Sequence, residues 1–225
     1  TKCNVRVKDL INKELVLFSI ADNVRSIPSL VDGLKPSQRK IIYACIKRNL
    51  YSEIKVSQLA GYVSEVSSYH HGEASLQDTI IGLSQTFVGS NNMNLLEPVG
   101  QFGTRLLGGK DSSSPRYIFT HLSKNFKNIF NSADFSTSIL NYLDDDGFSI
   151  EPSFYVPVLP LILINGACGI GTGFSTDVPC FNPDDLKDRL LKLVDDPDAD
   201  IEELTPWYKG FTGVITKIEE NRWMT

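Results

Sequence analysis

Apolar residues recur at helical spacing through DLINKELVLFSIADNV, residues 9–24, and that periodicity predicts a helix. In SIPSLVDGLKP, Pro28, Gly33 and Pro36 then interrupt regular structure. Pro36 suits the first turn of a second helix over 36–49. Laid out at about 100° per residue, that helix carries Ile41, Ile42, Cys45 and Ile46 on one side and Arg39, Lys40, Tyr43 and Lys47 on the other. The first side reads as core and the second as a basic face. KVSQLAGYVSEV, 55–66, fits a third helix with Val56, Leu59, Val63 and Val66 inward, and 72–88 fits a longer one with Leu76, Ile80, Ile81, Leu83 and Phe87 inward.

Two helices joined by a tight turn, with basic residues across both, fit helix-turn-helix geometry. The glycine-rich stretch GQFGTRLLGGKDSSSPRYIFT, 100–120, reads as a hairpin-like wing and exposed loop leading into a short strand around Tyr117. These elements predict an α+β chain built on a winged-helix domain. Residues 131–152 read as loop, acidic turn and short helix, and 155–164 as a buried strand. A helix opens at Asn182–Pro183 and becomes acidic, and the end of the chain alternates like strands. We expect a boundary near 181, with the winged-helix domain over 1–180 and a more acidic module over 181–225.

Of the 225 residues, 41% are hydrophobic and 22% charged, which excludes collagen-like, coiled-coil and fully disordered chains. No apolar run approaches the roughly 18 residues of a membrane-spanning helix, so we expect no membrane. The N-terminus lacks a signal-peptide pattern and a starting Met, and we expect an internal piece of a longer protein. The net charge of −5 is unevenly spread: residues 1–130 carry 16 Lys and Arg against 10 Asp and Glu, and residues 131–225 carry 6 against 17. A polyanion would meet the first half. Arg25, Lys35, Arg39, Lys40, Lys47, Arg48 and Lys55 crowd into 25–55 beside only Asp32 and Glu53, as an electrostatic footprint for nucleic acid or as a solvated helix face. Cys3, Cys45, Cys168 and Cys180 have no zinc spacing and suit a reduced intracellular chain with free thiols.

Tyr117 follows a flexible polar stretch and stands beside Arg116. A tyrosine oxygen can attack a phosphodiester and keep the phosphoryl group as an ester, so the strand can be resealed without a second energy source. Tyrosine ionises near pH 10, and a neighbouring cation helps both the phenolate and the crowded phosphorus. An ordinary strand tyrosine fits the same dipeptide. In SSYHHGE, His70 or His71 can accept that proton or bind phosphate, or can simply hydrogen-bond a loop. Asp144, Asp145 and Asp146 can hold Mg²⁺ or form an acidic turn. NGACGIGTG, 165–173, resembles a phosphate-cradling loop but lacks its lysine. Ile170 within it is either a buried turn residue or a wedge between base pairs.

Taken together, INKELVLFSIADNVRSIPSLVDGLKPSQRKIIYACIKRN (11–49), KVSQLAGYVSEVSSYHHGE (55–73), FVGSNNMNLLEPVGQFGTRLLGGKDSSSPRYIFT (87–120) and LINGACGIGTGFST (163–176) resemble the type IIA DNA topoisomerases, in the eukaryotic and large-DNA-virus branch of topoisomerase II. The resemblance implies an ATP-dependent isomerase that grips a gate duplex as a homodimer. It implies a transient double-strand break through 5′-phosphotyrosyl links and passage of a second duplex, as in DNA replication. Tyr117 looks like the nucleophile, with Arg116, Arg25, His71 and His70 around the reacting phosphate. Lys35 and Arg39 match DNA-backbone positions, Lys40, Lys47 and Lys55 extend the same basic surface, and Ile170 matches the intercalating wedge.

The resemblance also makes 181–225 the start of a tower domain. It places Mg²⁺ and ATP on domains outside these residues, so the fragment alone is expected to be inactive. It implies action in the nucleus, or in host cytoplasm or a viral factory for a viral member. Cys168 and FSTDVPCFNP depart from the cellular pattern and point toward a viral enzyme. The rival reading is a non-enzymatic winged-helix DNA-binding or architectural module.

Overall fold

The computed structural model describes residues 4–220 and 222–225; Cys3 lies outside the described residues. The chain begins with a continuous helical rod in which α1 (Val7–Asp9) passes through a π-helical turn (Leu10–Leu15) into α2 (Val16–Ser26). Its apolar periodicity is real, but the rod stands clear of the core, with Leu17 64% and Phe18 60% exposed.

The core forms where the next three helices meet. In α3 (Pro36–Arg48), Pro36 starts the helix and the Gln38 side chain accepts the Lys35 N–H at 2.8 Å. Asn49 ends it in the left-handed region at φ 51°, a conformation asparagine tolerates. After β1 (Ile54–Lys55) come α4 (Val56–Ser67) and α5 (Glu73–Ser84). Ile41, Ile42, Leu59, Val63, Leu76 and Ile80 lose all exposure between them. α5 stops before the expected residue 88. The Asn91 amide bends back to donate to the carbonyls of Gly82 at 2.7 Å and Gln85 at 2.9 Å, so the helix end is satisfied four residues early.

β3 (Phe119–Leu122) lies between β1 and β2 (Leu96–Val99) in an antiparallel sheet of order β1-β3-β2, with Leu96 opposite Leu122 and Ile54 opposite Thr120. The loop over 100–118 leaves this sheet and returns to it. Tyr117 precedes β3 in a turn rather than lying within a strand. A short helix, α6 (Phe126–Ile129), leads to the hairpin of β4 (Tyr142–Asp145) and β5 (Phe148–Pro152). The helix expected within 131–152 is only a 3-10 turn, Ser132–Phe135.

Residues 155–164 do not form the expected strand. Pro157 and Pro160 remove two donors that a ladder needs, so the chain runs irregularly and closes into one helical turn, α7 (Leu161–Ile164). It is buried as expected, with Tyr155 1% and Ile164 0% exposed. β6 (Ala167–Ile170) and β7 (Ser175–Val178) form the glycine hairpin. α8 (Pro183–Asp195) begins where expected, with the Asn182 side chain accepting the Asp184 N–H at 2.9 Å, and β8 (Thr216–Glu219) pairs with β9 (Arg222–Met224). One buried side chain ties residues on both sides of 181 together. The buried Asn92 amide donates to the carbonyls of Ile164, Phe181 and Trp207 at 2.9, 3.2 and 3.0 Å. Among the described residues, no helix is long and apolar enough to cross a membrane.

Candidate nucleic-acid interface

α2, the start of α3 and the end of α4 converge on one cavity. It holds about 550 Å³ and is lined by Arg25, Lys40, Ser68, Tyr69, His70 and His71. A smaller one of about 390 Å³ adjoins it, where Phe18, Asp22 and Val24 meet Arg25 and His71. The left-handed Ser68 at φ 48° ends α4 and turns the histidines outward. His71 packs edge-on against Tyr69 with ring centres 5.4 Å apart. Arg25 and both histidines are exposed, and together they offer N–H donors of the kind that can take a phosphate oxygen.

Three of the basic side chains here face a carboxylate of the same chain. Arg25 Nη2 lies 3.1 Å from Asp22, Lys40 Nζ 2.9 Å from Glu151, and His70 Nε2 3.7 Å from Asp145. Asp145 reaches His70 because the β4–β5 hairpin is pinned on α3, where the Tyr43 hydroxyl donates to the Ser149 carbonyl at 3.2 Å. The acidic run over 144–146 is therefore the tip of a tight hairpin, in which Asp144 Oδ1 accepts the Gly147 N–H at 3.0 Å.

The structure corrects the expectation for Arg39. Its side chain is only 6% exposed, Nε donates to Asp32 Oδ2 at 2.7 Å, and Nη2 donates to Asp32 Oδ1 at 3.0 Å and the Leu34 carbonyl at 2.9 Å. Asp32 has no exposure at all and also accepts the N–H groups of Leu34 and Tyr155. Arg39 thus locks the turn before α3 to the buried strap at 155 and presents no free cation to a partner. Lys40 is corrected in the same sense, since its ammonium donates to the Ser67 carbonyl as well as to Glu151. The helical wheel placed both on a polar side that the 155 strap and β5 in fact cover.

Lys35 stays half-buried at the mouth of a third cavity of about 610 Å³, which it shares with Gln38, Ser75, Asp78 and Cys168. Lys47 lies 5.5 Å over the Tyr43 ring and Lys55 6.0 Å over Phe119, which steadies both stems; neither faces a carboxylate among the described residues.

Tyr117 and Arg116 are not in the histidine cavity. Their turn is fixed at the opposite end of α4, where the Ser57 N–H donates to the Pro115 carbonyl and the Val56 N–H to the Ile118 carbonyl, both at 3.1 Å. Ile118 is 1% exposed and Tyr117 75%, so burial of one residue drives its neighbour into solvent. The 12-residue α4, about 18 Å long, separates this turn from His70 and His71. The positive end of its dipole faces the tyrosine turn.

Ile170 is 79% exposed near the tip of the glycine hairpin, and Phe174 beside it is 73% exposed. Exposure rules out the buried-turn reading of Ile170, and Phe174, which stands outside the glycine pattern, was not singled out from sequence. The glycines are needed on the other side: a Cβ at Gly169 would strike the Ser26 carbonyl, and one at Gly171 the Asn23 side chain. The hairpin lies flush on α2.

The family model that describes the A subunit of DNA gyrase/topoisomerase IV matches residues 25–224. The chain is 56% identical over 209 residues to a DNA topoisomerase 2 of Candida albicans, covering 93% of this chain and 14% of that protein. It is 53% identical to DNA topoisomerase 2 of Saccharomyces cerevisiae, over 97% of this chain and 15% of that one. The crystal structure of the DNA-binding, cleavage and re-ligation domain of Plasmodium falciparum topoisomerase II superposes with a TM-score of 0.90 at 51% identity, over 96% of this chain and 29% of that one. The chain spans about a seventh of the length of these curated relatives. By these matches the chain belongs to the family of the DNA gyrase/topoisomerase IV A subunit, alongside the eukaryotic type II DNA topoisomerases.

Proposed function

We propose that this chain is the DNA-binding, cleavage and re-ligation part of an ATP-dependent type II DNA topoisomerase and that it works as a homodimer on double-stranded DNA. The carrying observation is the split placement of its chemistry: an exposed tyrosine on a turn at one end of α4 and a cavity lined by Arg25, His70 and His71 at the other. Two copies about a two-fold axis bring Tyr117 and Arg116 of one to the Arg25, His70 and His71 cavity of its partner. The Tyr117 hydroxyl gives its proton to His71 or to water as its oxygen attacks the scissile phosphorus and forms a 5′-phosphotyrosyl ester; the P–O3′ bond breaks and the 3′ oxygen takes up a proton from water, leaving as a 3′ hydroxyl. Arg116 and Arg25 balance charge on the phosphorus oxygens. The reverse attack by the 3′ hydroxyl re-forms the phosphodiester and frees the tyrosine. Lys35, Lys47 and Lys55 hold the backbone, and Ile170 with Phe174 unstacks and bends the gate duplex.

In this reading 1–180 is a winged-helix domain, with α3 and α4 as the helix pair and β2–β3 as the wing, and 181–225 opens a tower domain. Working in the nucleus fits the same reading. Type II enzymes of this class use Mg²⁺ and ATP. Neither fits the described residues: no three His, Cys, Asp or Glu side chains among them converge as ligands, and the glycine hairpin packs on α2 instead of framing an anion site. Both groups act on other parts of the protein, and no step here is routed through them.

The test uses the intact protein with supercoiled plasmid, quenched with detergent, digested and searched by mass spectrometry for a nucleotide-bearing peptide containing Tyr117. An adduct that vanishes in Tyr117→Phe, with duplex binding retained, is the expected result. No adduct, with binding intact, would leave only the architectural reading.

A further inference from the structure

One carboxylate joins the phosphate cavity to the wedge. Asp22 Oδ1 accepts from Arg25 Nη2 at 3.1 Å and from Ser26 Oγ at 3.4 Å, and its Oδ2 accepts from Thr172 Oγ1 at 2.8 Å. Thr172 stands two residues after Ile170, and its carbonyl accepts from Asn23 Nδ2 at 3.2 Å. The close contacts of Gly169 and Gly171 against Ser26 and Asn23 leave the hairpin no slack on α2.

We propose that Asp22 is a positioning residue that couples Arg25 to the Ile170 hairpin, so that phosphate capture and wedge insertion reinforce each other. The coupling rests on the cleavage reading for its consequence but on the hydrogen bonds for its existence. Arg25 has five N–H donors, and the bond to Asp22 uses one edge of the guanidinium and aims the rest at the cavity shared with His71. A duplex bent over Ile170 moves the hairpin, and through Thr172 it moves Asp22 and the Arg25 fork with it. A phosphate that seats Arg25 holds the hairpin up in return, since such coupling is reciprocal. The Thr172 hydroxyl first, and Arg25 next, keep the Asp22 carboxyl below the usual carboxylate range. Asp22 is 17% exposed in its side chain and Thr172 lies at the surface, so changes there leave the core intact.

The experiment compares Thr172→Val, which removes the donor, with Thr172→Ser, which keeps it, in the intact protein. Adduct yield is read with a plasmid, and the bent fraction with a duplex carrying a fluorophore pair at its ends. Thr172→Val is expected to lower both about tenfold, within the range of such couplings, with duplex affinity changed less than about twofold and Thr172→Ser close to the unmodified protein. In an Arg25→Ala background, where the bent fraction alone is read, the same Thr172→Val change is expected to add little. Equal yield and bending in Thr172→Val, an equal defect in Thr172→Ser, or the full tenfold loss of bending persisting in Arg25→Ala would each overturn the coupling. If the unmodified protein forms no adduct, the cleavage reading fails and the bend alone decides: Arg25→Ala is expected to reduce bending as much as Thr172→Val does, and unchanged bending overturns the proposal.

Discussion

Arg39 shows how a residue's type can mislead about its work. A buried charge is tolerable only with a partner, and breaking such a pair from one side costs about 3–5 kcal/mol. Asp32→Ala is therefore expected to lower unfolding free energy by that order in denaturant titration, because it leaves the 6%-exposed Arg39 side chain uncompensated. A loss below about 1 kcal/mol would mean the pair is not structural. The thiols divide in the same way. Burial pushes Cys45 up to about 12 and Cys180 up to about 11, whereas Cys168 is exposed. A thiol reagent near neutral pH is expected to modify Cys168 and to spare Cys45 and Cys180 until the chain unfolds, as peptide mapping would show. Two carboxylates set an acid limit. The Thr104 N–H and hydroxyl hold Asp111 below its ordinary range, as Thr172 does for Asp22. A depressed folded pKa gives stability that is present above the unfolded pKa and lost as pH falls through the folded one. The melting temperature is expected to drop through the acidic carboxylate range, and less so in a variant with Thr104→Val and Thr172→Val.

At the scale of elements, the glycine hairpin carries the most exacting geometry. Gly169→Ala puts a methyl group into the Ser26 carbonyl. It is expected to lift the hairpin from α2, to weaken DNA bending, and to leave the helical core melting nearly unchanged; full bending in that variant would show that the close fit is unnecessary. The three core helices were legible because Ile41 and Cys45 in α3, Leu59 and Val63 in α4, and Leu76 and Ile80 in α5 recur at the helical period and local sequence decides the outcome. The same period misled where non-local partners rule. α5 ends early because Asn91 caps it, and 155–164 is no strand because two prolines interrupt an apolar run that the core still buries. For the site, Tyr117, Arg25, His70, His71 and Ile170 could be named from residue type and resemblance. Asp22 was readable as an i−3 partner of Arg25, but Thr172 lies 149 residues away from Asn23 in sequence, and no periodicity links them.

Over the whole molecule, charge divides along the sequence into a basic first half and an acidic second half. The row of exposed apolar residues along the α1–α2 rod is a surface that a folded protein rarely leaves bare. Leu17→Asp with Phe18→Asp is expected to reduce concentration-dependent association in sedimentation without disturbing the core, since neither side chain contributes to it. The central claim is that nucleophile and phosphate cavity come from different copies. The most direct measurement mixes Tyr117→Phe with Arg25→Ala protein, each inactive alone, and reads adduct formation after exchange of protomers. A site shared between copies leaves each mixed dimer with one intact pair, Tyr117 from one protomer and Arg25 from the other, so cleavage should return. A mixture as inactive as its parents, with exchange verified, would place both groups in one protomer and contradict the account.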